Sequence, residues 1–141
     1  MENATKWIKL FFVSFSTIII GFLGGWDTAL KVLFAMTAID ILTGLLSGAY
    51  HKNINSGKAY QGAIKKLGIY LLVGLACLLD DYLGIEVARS AVIGYFVATE
   101  GISILENWGK MGLPLPKILK AILIQIREQS EGIEDETDTN Y

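Results

Sequence analysis

Two acidic residues, Asp40 and Glu100, lie in the middle of long apolar stretches and are the side chains best placed for chemistry. A charge at the centre of a membrane-spanning helix costs about 2.5–3.5 kcal/mol on insertion scales, so such residues pair, face a protein interior or stay protonated. We therefore expect both acids to have polar partners. We also hypothesise that Asp40 or Glu100 is neutral in the resting membrane.

Small and polar residues recur around both acids at three- and four-residue spacing, which puts them on one face of each helix. The two stripes consist of Asp40, Thr43, Gly44, Ser47 and Gly48, and of Glu100, Ser103, Glu106 and Asn107. Gly44 and Gly48 form a G-x-x-x-G step, which lets helices approach closely in lipid. The stripes either pair inside one subunit or meet those of other subunits and line a wet surface. We favour the second alternative and predict these residues as oligomerisation or pore-facing positions.

The sequence does not predict an enzyme, a cofactor or a metal site. It has one histidine, His51, and one cysteine, Cys77, and these lie far apart along the chain. Neither a nucleophile–base pair nor a set of metal ligands follows from them. There is no G-x-S-x-G or H-E-x-x-H motif. The short basic cluster before the third apolar stretch is explained by membrane topology, so we expect no nucleic-acid partner.

Four apolar stretches are long enough to hold these residues on membrane-spanning helices, which need about 20 mostly apolar residues. They run near 7–26, 30–50, 63–83 and 87–108. Hydrophobic residues make up 52% of the 141-residue chain and charged residues 18%, whereas soluble domains carry about 25% charge. The sequence therefore predicts an all-α integral membrane protein with four transmembrane helices in one domain, residues 1–127.

The basic residues are distributed unevenly about these spans. An even number of spans puts ten of the twelve on one side: Lys6, Lys9, Lys52, Lys58, Lys65, Lys66, Lys110, Lys117, Lys120 and Arg127. Only Lys31 and Arg89 lie on the other. Because loops rich in Lys and Arg stay in the cytoplasm, we expect a multi-pass protein of the bacterial inner membrane with both termini cytoplasmic.

The C-terminal part of the chain is predicted to leave the bilayer. Pro114 and Pro116 end the fourth helix. Residues 117–127 then form a short amphipathic helix, which we expect either to lie on anionic lipid headgroups or to pack against neighbouring subunits. Residues 128–141 carry six acids and no base, which predicts a disordered acidic tail.

The ordered set of these features resembles the toxin-secretion/phage-lysis holins, a family that includes clostridial toxin-export holins. The resemblance covers about residues 24–119. It rests on Gly25-Trp26-Asp27, Asp40-x-x-Thr43-Gly44, Ser56 and Gly62 before Lys65-Lys66, Asp80, Glu100-x-x-Ser103-x-x-Glu106-Asn107, and Gly112 before Pro114 and Pro116.

The resemblance implies a homo-oligomer that accumulates in the bacterial inner membrane and forms lesions for host cell lysis, so that endolysin or a toxin passes out. An antiholin, which blocks such lesions, can share the fold and is one alternative. A small four-helix proton-coupled transporter is another. Its essential carboxylate would lie in the first span, where residues 10–23 contain no acid.

Overall fold

The computed structural model describes the backbone of residues 1–138 and the side chains of residues 1–132. The helices are α1 (Glu2–Phe22), α2 (Thr28–Tyr50), α3 (Ser56–Leu83), α4 (Ala88–Lys110) and α5 (Lys117–Asp138). Within the described chain, α1, α2 and α3 are the helices long and apolar enough to cross a membrane. The prediction of an all-helical membrane protein is confirmed at this level, whereas α4, the fourth predicted span, does not meet that criterion.

Helix α3 begins earlier than the sequence predicted, at Ser56 instead of near residue 63. The side-chain oxygen of Asn55 accepts hydrogen bonds from the backbone N–H groups of Gly57 and Lys58, at 2.9 and 3.2 Å. This N-cap satisfies donors that a helix otherwise leaves unpaired. The end of the predicted loop is therefore helix, and Lys66 lies ten residues after the start of α3 instead of about three residues after the predicted start.

Helix α4 lies at the centre of the bundle and contacts α2, α3 and α5. Helices α2 and α4 run parallel, because Met36 lies beside Gly101 and Asp40 beside Asn107. Helix α1 has no buried residue and contacts α3 only lightly within the described chain. The apolar core lies towards the α1–α2 turn and consists of Leu23, Leu30, Leu33, Ile69, Val73 and Ile93.

The C-terminal helix differs from the prediction in length. Helix α5 continues to Asp138, so the predicted end at residue 127 is wrong. Most of the segment expected to be a disordered tail is helical backbone, and residues 139–141 lie outside the described residues. Helix α5 packs along α4 of the same chain.

Two glycines of α4 make this packing close. A Cβ atom added to Gly101 would lie 2.6 Å from Leu123 Cδ2, and one added to Gly94 would lie 2.6 Å from Ser130 Oγ. Residue numbers rise along α5 as they fall along α4, so the two helices are antiparallel. Helix α5 therefore returns along α4 past the level of its midpoint.

Candidate functional site

The two acids in the apolar stretches meet around a lysine of the third helix. Lys66 Nζ donates a hydrogen bond to Asp40 Oδ2 at 2.6 Å and another to Glu100 Oε2. The exposed fractions of the Lys66, Asp40 and Glu100 side chains are 15%, 12% and 5%. These three residues, together with Asn107 and Thr43, form what we call the Lys66 cluster.

Helix register places the three charged residues at one level of the bundle. Asp40 precedes the last residue of α2 by ten positions, Glu100 precedes the last residue of α4 by ten, and Lys66 follows the first residue of α3 by ten. At about 1.5 Å per residue they lie about 15 Å from these helix ends.

Neutral polar groups complete the Lys66 cluster. Asn107 Nδ2 donates to Asp40 Oδ1 at 3.2 Å and to Thr43 Oγ1 at 3.3 Å. Among the described residues, every buried side-chain nitrogen and oxygen has a hydrogen-bond partner. The hydrogen bonding of the cluster is complete, but its positive and negative groups are unequal in number. One ammonium group faces two carboxyl groups, which leaves one negative charge in excess when all three are ionised.

The predicted site residues fall into overlapping groups. Those in the Lys66 cluster are Asp40, Thr43, Glu100 and Asn107. A cavity of about 390 Å³ between α2 and α3 is lined by Gly44, Ser47 and Gly48 and also by Asp40 and Asn107 of the cluster. Ser103 lines a second groove beside Lys66 and Glu100. Glu106 is exposed and makes no hydrogen bond to the cluster within the described chain.

The cavity forms because α2 and α3 hardly touch each other within the described chain, although both pack against α4. The G-x-x-x-G step borders this gap. A Cβ atom on Gly44 would lie 3.6 Å from Asn107 Nδ2, and one on Gly48 would lie 3.5 Å from the Asn53 carbonyl oxygen. Within one subunit the two polar stripes therefore meet each other. Their roles between subunits stay a prediction.

Lys66 is the member of the site that the sequence analysis missed. It was counted among the basic residues beside the spans, although the predicted third span, 63–83, already contained it. The usable signal was its register, because Lys66 is as far into its helix as Asp40 and Glu100 are into theirs. Finding that signal required the correct start of α3 at Ser56.

A second charged site joins the helices at the end of the bundle that contains the α1–α2 turn. Arg89 Nη1 donates to Asp27 Oδ2 at 2.6 Å, and Arg89 Nε donates to the Leu23 carbonyl oxygen at 2.7 Å. The hydrogen bond from Arg89, followed by that from the Leu30 backbone N–H, lowers the pKa of Asp27 from its ordinary value of 3.8. We call Arg89, Asp27 and Leu23 the Arg89 clamp, because they tie the α1–α2 turn to the start of α4.

The single histidine and the single cysteine lie at opposite ends of the bundle. His51 Nε2 is 2.9 Å from the carbonyl oxygen of Lys110. Cys77 Sγ lies close to Gly24, beside the Arg89 clamp. The two residues therefore share no site.

Residues 17–128 match the family model described as the bacteriophage holin family. An uncharacterised 14.9 kDa protein in the nagH 3′ region of Clostridium perfringens is 34% identical over 131 residues, covering 92% of this chain and 99% of that one. An uncharacterised Listeria innocua protein is 34% identical over 130 residues, covering 92% of each chain. A probable holin of Bacillus phage phi105 is 26% identical over 110 residues, covering 77% and 82%. No solved structure matches the chain.

The matched segment begins inside α1 and ends inside α5, so it contains both the Lys66 cluster and the Arg89 clamp. It also contains all the motifs on which the resemblance rests. The match covers most of the chain, and the C. perfringens relative is similar over nearly its whole length. The resemblance is confirmed, and this chain belongs to the bacteriophage holin family.

Proposed function

We propose that this protein acts as a holin. It accumulates in the bacterial inner membrane, assembles with copies of itself and opens lesions through which an endolysin or an exported toxin leaves the cell. Family membership supports this activity. The observation that carries the proposal is the Lys66 cluster, which holds one ammonium group and two carboxyl groups at the middle level of the bundle.

A cluster of this kind is a poor way to stabilise a bundle at rest. The cost of removing ions from water offsets much of their attraction, and replacing buried ion pairs by apolar residues is often neutral or stabilising by about 1–4 kcal/mol. The excess carboxyl group of the Lys66 cluster adds to that cost. These considerations support a resting subunit whose polar contacts can be exchanged for others.

We propose that the exchange takes place when subunits assemble. In the resting subunit the two polar stripes satisfy each other through Lys66 and Asn107. In the open lesion the same groups find partners on neighbouring subunits or water, which is the pore-facing role predicted for them. The residues concerned are Asp40, Thr43, Gly44, Ser47, Gly48, Glu100, Ser103, Glu106 and Asn107.

We propose that α4 is the fourth membrane span. It has 23 residues, the same number as α2, and runs parallel beside it. Its least apolar central residue, Glu100, is paired with Lys66. The distribution of basic residues then puts the N-terminus and the α4–α5 turn in the cytoplasm.

Inducible expression in a bacterium tests the proposal, with turbidity, viability and membrane potential followed over time. A cytoplasmic endolysin lacking any export signal is expressed alone, together with the protein, or together with a version truncated after α1. We expect a delay, then abrupt loss of potential and viability. Turbidity should fall only when the endolysin and the full-length protein are both present.

Other outcomes point to the alternatives. Silent accumulation in the membrane contradicts the holin proposal. If the protein then delays the lysis that a second, co-expressed holin causes, it is an antiholin. Export of a cationic dye driven by a proton gradient, with viability preserved, would identify a transporter.

A further inference from the structure

The cavity between α2 and α3 extends from the turn that joins these helices to the Lys66 cluster, and we call it the α2–α3 cavity. Its lining includes Lys58, near the start of α3, and Lys66, eight residues further along the same helix. At about 1.5 Å per residue, these two positions are about 12 Å apart along α3. Helix α4 borders the cavity through Asn107 and Lys110. The cavity therefore has a polar mouth at the turn and a polar inner end at the cluster.

The walls between the mouth and the inner end contain small and apolar residues. Gly44 and Leu45 line the cavity from α2. Gly62 and Ala63 line it from α3. A Cβ atom added to Gly62 would have no heavy atom within 4 Å, so this part of the wall borders open space. Such walls suit a hydrocarbon chain, which gains van der Waals contacts along its whole length.

The charged residues that line the α2–α3 cavity are three bases and one acid. The acid, Asp40, accepts a hydrogen bond from Lys66 at the inner end. Lys58 and Lys110, at the mouth, are exposed and form no ion pair among the residues whose side chains are described. The N-terminus of α3 lies at the same mouth and adds positive partial charge. The mouth therefore attracts an anion.

We propose that the α2–α3 cavity binds one anionic phospholipid. Its phosphate lies at the mouth with Lys58 and Lys110, and one acyl chain follows the glycine-containing walls towards Lys66. Basic pockets between membrane-spanning helices on the cytoplasmic side bind anionic lipid headgroups in this way. The inference goes beyond the proposed function, because the site exists whether or not the protein opens lesions.

The charges and the walls together favour this occupant over others. Phosphatidylethanolamine carries an ammonium group, which the two lysines at the mouth repel, whereas phosphatidylglycerol carries none. A free phosphate ion leaves the apolar walls uncovered. Helix α1 of a second copy in the same orientation would bring Lys6 and Lys9 to the mouth, where they meet charges of their own sign.

Lipid titration of the purified full-length protein in dodecyl maltoside tests the proposal. Phosphatidylglycerol, phosphatidylethanolamine or inorganic phosphate is added, and unfolding temperature and bound lipid are followed by thermal unfolding and native mass spectrometry. We expect phosphatidylglycerol to leave one lipid on each chain and to raise the unfolding temperature, because a ligand of the folded state stabilises it. Neither phosphatidylethanolamine nor phosphate at the same concentration should do so.

Removing the charges at the mouth should weaken this binding. We expect Lys58→Gln and Lys110→Gln each to raise the half-saturating phosphatidylglycerol concentration about fivefold, the scale of one lysine beside an anionic headgroup. Lys52→Asn is the matched control, because Lys52 is exposed in the same turn but does not line the cavity. Asparagine also tolerates its φ of 52°. Equal weakening by all three variants would mean diffuse attraction and would overturn the site.

Filling the cavity should remove the binding without removing charge. A Cβ atom at Gly62 or at Gly68 has open space around it, and both glycines border the second groove, but of the two Gly62 alone also lines the α2–α3 cavity. We expect Gly62→Leu to abolish the shift that phosphatidylglycerol causes and Gly68→Leu to keep it. The shift is compared with each variant's own unfolding temperature without lipid, so a change in basal stability does not obscure the result.

Three results overturn the lipid site. Phosphatidylethanolamine that binds as tightly as phosphatidylglycerol would show that charge does not select the occupant. A shift of the same size with inorganic phosphate would indicate a site for free anions. A Gly62→Leu variant that loses self-association but binds phosphatidylglycerol normally would indicate that a second copy fills the cavity. None of these results bears on the proposed holin activity, which the lysis assay tests separately.

Discussion

The Lys66 cluster and the Arg89 clamp both join helices through charged side chains, but they differ in depth and in charge balance. The clamp lies at a turn, where Asp27 is 47% exposed, and pairs one guanidinium with one carboxylate. The cluster lies at the middle level of the bundle, where Glu100 is 5% exposed, and pairs one ammonium with two carboxyl groups. The charges of the clamp balance and its carboxylate is partly hydrated. The charges of the cluster do not balance, and its side chains are largely buried.

The difference separates two tasks that ion pairs perform in this bundle. The clamp fixes the turn between α1 and α2 to the start of α4. There the Arg89 guanidinium donates to the Leu23 carbonyl oxygen and to Asp27, and water screens the charges. The cluster holds α2, α3 and α4 together at a place where losing Lys66 leaves two carboxyl groups without a counter-charge. Stability should therefore respond to clamp variants, whereas both stability and the timing of lysis should respond to cluster variants.

Lys66→Met should give the largest effect. It leaves Asp40 and Glu100 close together without a counter-charge, and breaking a buried ion pair in this way costs about 3–5 kcal/mol. We expect the variant to accumulate poorly and to unfold at a lower temperature in detergent. Lys65→Met is the matched control, because Lys65 is exposed one residue away.

Rescue distinguishes the charge from the volume of the side chain. Adding Asp40→Asn and Glu100→Gln to Lys66→Met removes both uncompensated carboxylates and should restore most of the lost accumulation. If Lys66→Met accumulates as well as Lys65→Met, or if the triple variant recovers nothing, the cluster does not hold the bundle together by charge.

Asp40→Asn and Glu100→Gln, tested singly, should have smaller effects on stability and a clear effect on timing. Each amide still accepts the hydrogen bond from Lys66, and each variant leaves one ammonium paired with one carboxylate. We expect stability to change by no more than about 1.5–3 kcal/mol, the scale of one hydrogen bond to a charged group. The resting state should be favoured, so the onset of lysis after induction should be later. Wild-type timing in both variants would contradict this role of the cluster.

These contrasts show which parts of the molecule the sequence could predict. The helical membrane architecture follows from apolar length alone, and the costly positions of Asp40 and Glu100 follow from their location in apolar stretches. The partner of the two acids did not follow, because a lysine near a predicted loop is ordinarily explained by topology. In the structure Lys66 lies at their level, ten residues into a helix that begins at Ser56 after the Asn55 cap.

The C-terminal helix was mispredicted for a different physical reason. The acidic composition after residue 127 favours disorder when the segment is considered alone. Its helical state in the structure accompanies tertiary packing, in which Leu123 and Ser130 fit against Gly101 and Gly94. That complementarity joins positions far apart in the sequence, so local composition carries no sign of it.

Arg89→Gln should destabilise the bundle less than Lys66→Met. The variant loses the charged hydrogen bonds to the Leu23 carbonyl oxygen and to Asp27, and bonds to charged groups contribute about 1.5–3 kcal/mol each when buried. Because Asp27 is exposed, its ion pair with Arg89 contributes less to this loss of stability than a buried pair would. We expect a lower unfolding temperature in detergent and unchanged delay before lysis at matched membrane levels. Lys31→Gln is the control. If Arg89→Gln altered the delay before lysis as strongly as Glu100→Gln does, the two sites would not differ in function.

Asp27→Asn should have the smallest effect, and its dependence on pH is specific. Asparagine still caps α2 about as well as aspartate, so only the charge interaction with Arg89 is lost, about 0–1 kcal/mol for an exposed pair. The pKa of Asp27 is lowered from 3.8 in the folded protein, so its contribution is complete above that value and disappears as the pH falls through the lower folded-state pKa. The stability difference between wild type and Asp27→Asn in detergent should therefore stay constant from about pH 7 to about pH 5 and shrink only in stronger acid. A difference that vanished near neutral pH would mean that another group governs the clamp, because a carboxylate stabilised by Arg89 stays ionised throughout that range.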